Sequence, residues 1–353
     1  MSKTMKWIVA LVVIVLVVVG VWYWQTNKVT IPAQTGPIKI GIITDLTGPA
    51  AYWGESTRVG AEIAQKELEA EGYKVNLIFE DYQLDATKSL SSAQKLVNLD
   101  KVDAIYHEFN PSAIAVSSFL KDNSVLSIYD AAPISPLSAS SNSFKTYLDY
   151  QNGCHLVAQK FKNEKIDKLA VLMPKIEAGE LCLAGAKEVY PDLIVESYEL
   201  GNTDFKTQVL KIKNGQAGAI INVGFEGDTL GSLKAIKELN YIVKYGTVDD
   251  TITDQVKSKY AKELVGSWSF GFGQVDADFG SKLKSSSPKL LSTEYGAALA
   301  YTHIKQMVKS LSKCQKDIAC ARDEIANSPS DGTIGFNGFK NRIADIQLEL
   351  RQY

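Results

Sequence analysis

Between positions 38 and 44 apolar residues dominate, with Ile38, Ile40 and Ile42 alternating with Lys39, Gly41 and Ile43. A β-branched run of this kind predicts a buried strand. It ends at Thr44-Asp45, Gly48-Pro49 turns the chain, and from Glu55 the spacing of Val59, Ile63, Ala64 and Leu68 predicts a helix with one apolar face. Further strands are predicted at Val75–Phe79, Asp103–Tyr106 and Val125–Tyr129, with helices at Thr87–Asn98 and Ser112–Asp122. This βαβαβαβ order implies a mainly parallel sheet with helices on both faces. The order then returns. Strands are predicted at Leu169–Met173, Ile194–Ser197, Ala219–Val223 and Val243–Thr247, with helices at Gly179–Val189, Phe205–Lys213, Thr229–Leu239 and Asp254–Glu263. The duplication is one of pattern, without a strong residue-by-residue repeat. A long helix over Thr293–Leu311 follows, and Gly332, Gly335 and Gly338 break the tail.

A chain of 353 residues accommodates two such lobes, each with its own core. Its 45% hydrophobic and 22% charged residues are ordinary for a globular protein, and a net charge of −2 argues against a nucleic-acid partner. The N-terminus departs from this balance: Trp7 to Trp24 is apolar throughout. Its 18 residues would reach about 27 Å as a helix, enough for a thin bilayer. Lys3 and Lys6 favour an N-terminus inside, and the run exits through Trp22-Tyr23-Trp24 without the small residues of a cleavage site. Residues 7–24 therefore read as a transmembrane anchor rather than a removed signal, with 1–6 a cytoplasmic stub and 25–37 a tether. This places the rest on the outer face of the cytoplasmic membrane. Four cysteines in an exported chain permit disulfides. Cys314 and Cys320 enclose only QKDIA, which suits a local bridge; Cys154 and Cys182 are either a second pair or two small buried residues. No zinc spacing is present.

In open α/β sheets, ligands sit beyond the strand carboxyl ends. Those positions hold Asp45, Tyr52-Trp53, His107–Asn110 and Asp130–Pro133 in the first set, and Tyr150, Lys175–Ala178, Phe225-Glu226 and Asp249-Asp250 in the second. Tyr52 and Trp53 either stand at that crevice or pack on the helix that follows. His107 beside Glu108 suggests an acid–base pair, but neighbours on an extended segment point oppositely. The chain has no nucleophile elbow, phosphate loop or dinucleotide fingerprint, so an enzyme is not expected, nor a cofactor or metal.

Three stretches, LTGPAAYWG within Ile38–Gly54, the Glu80-Asp81 strand end and GNTDFKTQVLKIK at Gly201–Lys213, resemble the branched-chain amino-acid binding proteins. These are type I periplasmic solute-binding proteins of ABC transporters, and the resemblance runs from Ile38 to Tyr353. It implies two doubly wound parallel-sheet lobes joined by a three-stranded hinge, crossing near Thr146–Asp149, Ser269–Gly273 and Asp331–Gly335. Lobe one would hold 38–147 and 274–331, and lobe two 148–272 and 334–353. Trp53 stands where the family's aromatic lid lies, with Tyr52 beside it. Phe109, Asn110, Ala131 and Ala132 fall at the lobe-one carboxylate grip. Tyr150, Glu177, Phe225 and Asp249 or Asp250 face them from lobe two. The grip departs from the family pattern: Asn110 replaces a Ser, Pro133 a Thr, and Ala178 a Tyr, while Phe225 lacks a hydroxyl. A small bridge like Cys314–Cys320 occurs in many members. The implied function is delivery of a small polar ligand, an amino acid or related amide or amine, to an ABC permease. The alternative is a ligand-sensing lobe pair acting on a separate membrane partner.

Overall fold

The structure is a computed structural model that describes residues 36–199, 201–287, 294–328 and 333–353. The expected stub, anchor and nearly all of the tether lie outside the described residues. Among the described residues no helix is long and apolar enough to cross a membrane.

Strand β1 (Ile38–Thr44) feeds helix α1 (Ala51–Ala70), then come β2 (Val75–Asp81), α2 (Ala86–Lys95), β3 (Ala104–Glu108), α3 (Phe109–Asp122) and β4 (Leu126–Asp130). A short α4 (Ser135–Ala139) and β5 (Ser143–Thr146) end this set. The second set runs α5 (Tyr150–Asn163), β6 (Leu169–Pro174), α6 (Glu177–Val189), β7 (Ile194–Tyr198), α7 (Lys206–Asn214), β8 (Ala219–Asn222), α8 (Glu226–Glu238), β9 (Lys244–Val248), α9 (Asp254–Tyr260) and β10 (Trp268–Phe272). The chain closes with α10 (Ala277–Ser286), α11 (Glu294–Lys313), α12 (Ile318–Ala326), β11 (Phe336–Lys340), β12 (Ile343–Ile346) and β13 (Leu348–Gln352).

Two sheets result, a seven-stranded one ordered β11-β12-β5-β4-β3-β1-β2 and a six-stranded one ordered β13-β10-β9-β8-β6-β7. Pairings are parallel except β11–β12 and β10–β13. The central strands of the first sheet, β3, β4 and β5, are buried on both faces, so period-two alternation is absent and strand follows strand through crossover helices. Helix α11 lies along α1 so closely that a Cβ at Gly60 would stand 2.0 Å from the Ala297 carbonyl oxygen. Cys154 and Cys182 bridge α5 to α6, and Cys314 and Cys320 bridge α11 to α12.

Several expectations change. Strand β5 lies in a Ser-rich stretch with no apolar alternation, and its parallel pairings with β4 and β12 make it a strand. Ser269–Gly273, expected as a crossing, is largely β10, a strand paired on both sides. The tail 334–353, expected whole in lobe two, divides between the sheets, because β11 and β12 join the first and only β13 the second. The third crossing is therefore at Gln347, not Asp331–Gly335. Asn341 and Arg342, both at positive φ (52° and 65°), make the two-residue turn of the β11–β12 hairpin. Arg342 then donates to the carbonyls of Leu137 (2.9 Å), Ser140 (2.6 Å) and Ser143 (3.1 Å), which fastens the hairpin to lobe one.

Candidate functional site

Carboxyl ends of strands from both sheets converge on one narrow cleft. Glu177 of lobe two bonds Ile134 and Ser135 of lobe one beside it, so the lobes stand together over a narrow chamber. From lobe one, the first turn of α1 brings Tyr52 and Trp53, the start of α3 brings Phe109 and Asn110, and the end of β4 brings Asp130, Ala131 and Ala132. Lobe two contributes Tyr150, Phe225 and Asp250, with Pro174, Ile176, Ala178 and Thr251 filling the wall.

Trp53 is 2% exposed and fixed from beneath: its Nε1 donates to Glu108 Oε1 at 3.2 Å. Glu108 also accepts from the Thr44 and Thr57 hydroxyls. Burial pushes the Glu108 carboxyl up, while these three donors pull it back. Above, Trp53 meets Tyr147 edge-on (centroids 6.0 Å) and Phe109 (6.4 Å). Phe109 meets Phe225 of the other lobe at 5.7 Å. Such edge-to-face contacts suit the ring quadrupoles. Phe109 takes a left-handed backbone (φ 65°) where β3 turns into α3, and Tyr147 another (φ 107°) at the first crossing. Non-glycine residues held there carry strain that surrounding contacts must maintain. For Tyr147, one such contact is its hydroxyl, which donates to Asp250 Oδ2.

The adjacent acids that the sequence left as alternatives part company. A 3₁₀ turn over Asp249–Thr251 points Asp250 into the cleft and Asp249 away. Asp249 instead pairs with Arg351 and accepts from Ser269 Oγ (2.9 Å) and Tyr353 Oη (2.5 Å). Asp250 is 9% exposed, and burial pushes its carboxyl to about 7 against the Tyr147 hydrogen bond. Glu177 does not line the cleft. Its carboxylate reaches across the lobes to Ile134 N (3.0 Å) and Ser135 Oγ (2.8 Å). Of the expected ligand residues, Tyr52, Trp53, Phe109, Asn110, Ala131, Ala132, Tyr150, Phe225 and Asp250 line one chamber, and Glu177 and Asp249 do not.

Sequence reasoning passed over Tyr147, which sits on a crossing rather than at a strand end. It also did not single out Asp130 within Asp130–Pro133. Asp130 is 3% exposed, and burial, with the fields of Glu108 and Asp250, pushes it well above the usual carboxylate range. His107 lies on the opposite face of β3 from Glu108, against Tyr129 (centroids 5.7 Å), and burial lowers it to about 3. It is a neutral core residue and no partner for Glu108. Among the described residues no group of three or more His, Cys, Asp or Glu could hold a metal.

Two closed α/β lobes around a chamber define a binding-protein architecture, and comparisons with known proteins agree. A family model described as periplasmic binding protein matches residues 37–345, and the chain belongs to that family. It is 28% identical over 212 residues to Leu/Ile/Val-binding protein homolog 3 of Brucella melitensis, covering 56% of each chain. It is 26% identical over 188 residues to the Leu/Ile/Val-binding protein of Escherichia coli K12, covering 50% of this chain and 51% of that one. The matches span about half the length of these curated relatives. An ABC-transporter solute-binding protein of R. palustris, solved with 4-hydroxybenzoate, superposes with a TM-score of 0.79 at 21% identity, covering 90% of this chain and 92% of that one. LivJ of Streptococcus pneumoniae, solved with isoleucine, gives 0.78 at 18% identity, covering 90% and 96%. At these identities the likeness is one of fold.

Proposed function

We propose that the protein is an extracytoplasmic solute-binding protein that closes two lobes on a small ligand and delivers it to an ABC permease. The ligand has an apolar body and a donor-rich end, as in an amino acid or a related amine or amide. The observation that carries this reading is the interlobe chamber itself, where aromatic rings and two buried acids from opposite lobes meet one enclosed volume. Both lobes line the chamber and bond across its edge, so hinge motion about the three crossings accompanies binding. The apolar run 7–24 supports an uncleaved tether, with the lobes on the outer face of the membrane. A thermal-shift screen of amino acids, amides, amines, ureas and short acids, followed by calorimetry and small-angle scattering, tests the binding reading. A hit should shrink the radius of gyration and lose affinity in Trp53→Ala. A hit that does neither refutes the chamber as the site. Intact mass of protein from its own host tests the tether, and a mass beginning after residue 25 overturns it.

A further inference from the structure

We propose that this chamber selects a cation that carries no carboxylate: an ammonium head seated between Asp130 of lobe one and Asp250 of lobe two, its apolar body against the surrounding rings. The proposal deepens the solute-binding reading above and rests on it. Asp130 lines the chamber, and its Oδ1 is buried without a hydrogen-bond partner. Its Oδ2 stands 3.5 Å from Tyr106 Oη, a weak contact. A buried carboxylate oxygen left unpaired is costly, and a donor entering the chamber removes that cost. Asp250 faces it from the other lobe with one oxygen already bonded to Tyr147.

Among the described residues no Lys, Arg or His lines the chamber. Lys145, whose field reaches Asp130, donates to the Tyr147 carbonyl (3.4 Å) and lines the neighbouring hollow that shares Ala132, Tyr147 and Tyr150 with the chamber. Closure thus brings two acids into one dry space with Glu108 behind them. Burial and the fields of Glu108 and Asp250 push Asp130 up, against the opposing field of the buried Lys145 ammonium and the Trp53 indole N–H. A proton or a ligand cation must neutralise such a site, and an ammonium does so while filling it. Tyr52, Trp53, Phe109, Tyr147, Tyr150 and Phe225 add π surface that attracts cations.

An anion fares worse here. The N-terminus of α3, which would offer N–H groups, has Pro111 as its third residue, and Pro133 beyond β4 has no N–H either. Both prolines lie on the lobe-one side, where a carboxylate entering beside Asp130 and Asp250 would force both acids to stay protonated.

Calorimetry of the dialysed protein with 3-methylbutylamine and benzylamine, against leucine and 4-hydroxybenzoate, tests the proposal. The amines should bind at least tenfold tighter than the two carboxylates. Asp130→Asn and Asp250→Asn should each weaken the amines tenfold or more without weakening the carboxylates. If Asp130→Asn does not fold by circular dichroism, Asp250→Asn alone decides. Leucine or 4-hydroxybenzoate binding more tightly than the amines, or amine affinity unchanged in the folded variants, overturns the cation and leaves the solute-binding reading standing. Failure of both amines to bind overturns the cation, and the wider screen above then decides the solute-binding reading.

Discussion

Glu177 offers the sharpest separation between holding a ligand and holding the lobes. Its carboxylate bonds Ile134 N at 3.0 Å and Ser135 Oγ at 2.8 Å across the cleft mouth, and it does not line the chamber. Hydrogen bonds to a charged group contribute roughly 1.5–3 kcal/mol each when well shielded. This pair is half exposed, so screening brings the two together to about 1–2 kcal/mol. Both bonds exist only when the lobes are closed, so Glu177→Ala should lower the closed population and weaken ligand affinity about 5- to 30-fold. The loss should fall on the dissociation rate, because encounter precedes closure. It should also be the same factor for every ligand, since none touches the residue. Ser135→Ala should give a smaller loss of the same kind. Stopped-flow kinetics with two chemically different hits checks this. A loss that differs between ligands would make Glu177 a ligand contact, as its place after β6 suggested. An unchanged affinity would mean that the latch is dispensable.

Asp250, raised to about 7 in the folded protein, contributes stability that is complete below its unfolded value near 3.8 and is lost as pH rises through about 7. That window amounts to on the order of 4 kcal/mol, and thermal unfolding of ligand-free Asp250→Asn should show a flatter pH profile than the parent; parallel profiles would refute the assignment. Removing Glu108 with Glu108→Ala strands the Thr44, Thr57 and Trp53 donors. This should cost roughly 2–4 kcal/mol in urea unfolding and loosen the lid, whereas no change would deny its supporting role. Cys154–Cys182 spans 28 residues and Cys314–Cys320 spans 6. Replacing each pair by serine should cost about 3.5 and about 2 kcal/mol respectively, and a reversed order in urea midpoints would contradict the loop-entropy account.

The two βα sets were legible in the sequence because the signal for each is local. The isoleucine run at 38–43, the turn at Gly48-Pro49 and the helical face from Val59 to Leu68 need no information from elsewhere in the chain. Parallel strands place their carboxyl ends on one side, so the strand-end list already held twelve residues that line the chamber. Other outcomes belong to the tertiary structure alone. Which of Asp249 and Asp250 faces the chamber depends on Arg351 and Tyr353, 102 and 104 residues away, which draw Asp249 to β13. Glu177 turns outward because Ile134 and Ser135 of the other lobe offer it two donors. The hairpin of β11 and β12 joins lobe one because Arg342 finds three carbonyls more than 195 residues upstream. Tyr147 enters the site because the first crossing carries it over the chamber, at a backbone angle that no local pattern announces. Periodicity and turn residues determine elements and their ends; partners about forty to two hundred residues away decide where individual charges point, and only the tertiary structure brings them together.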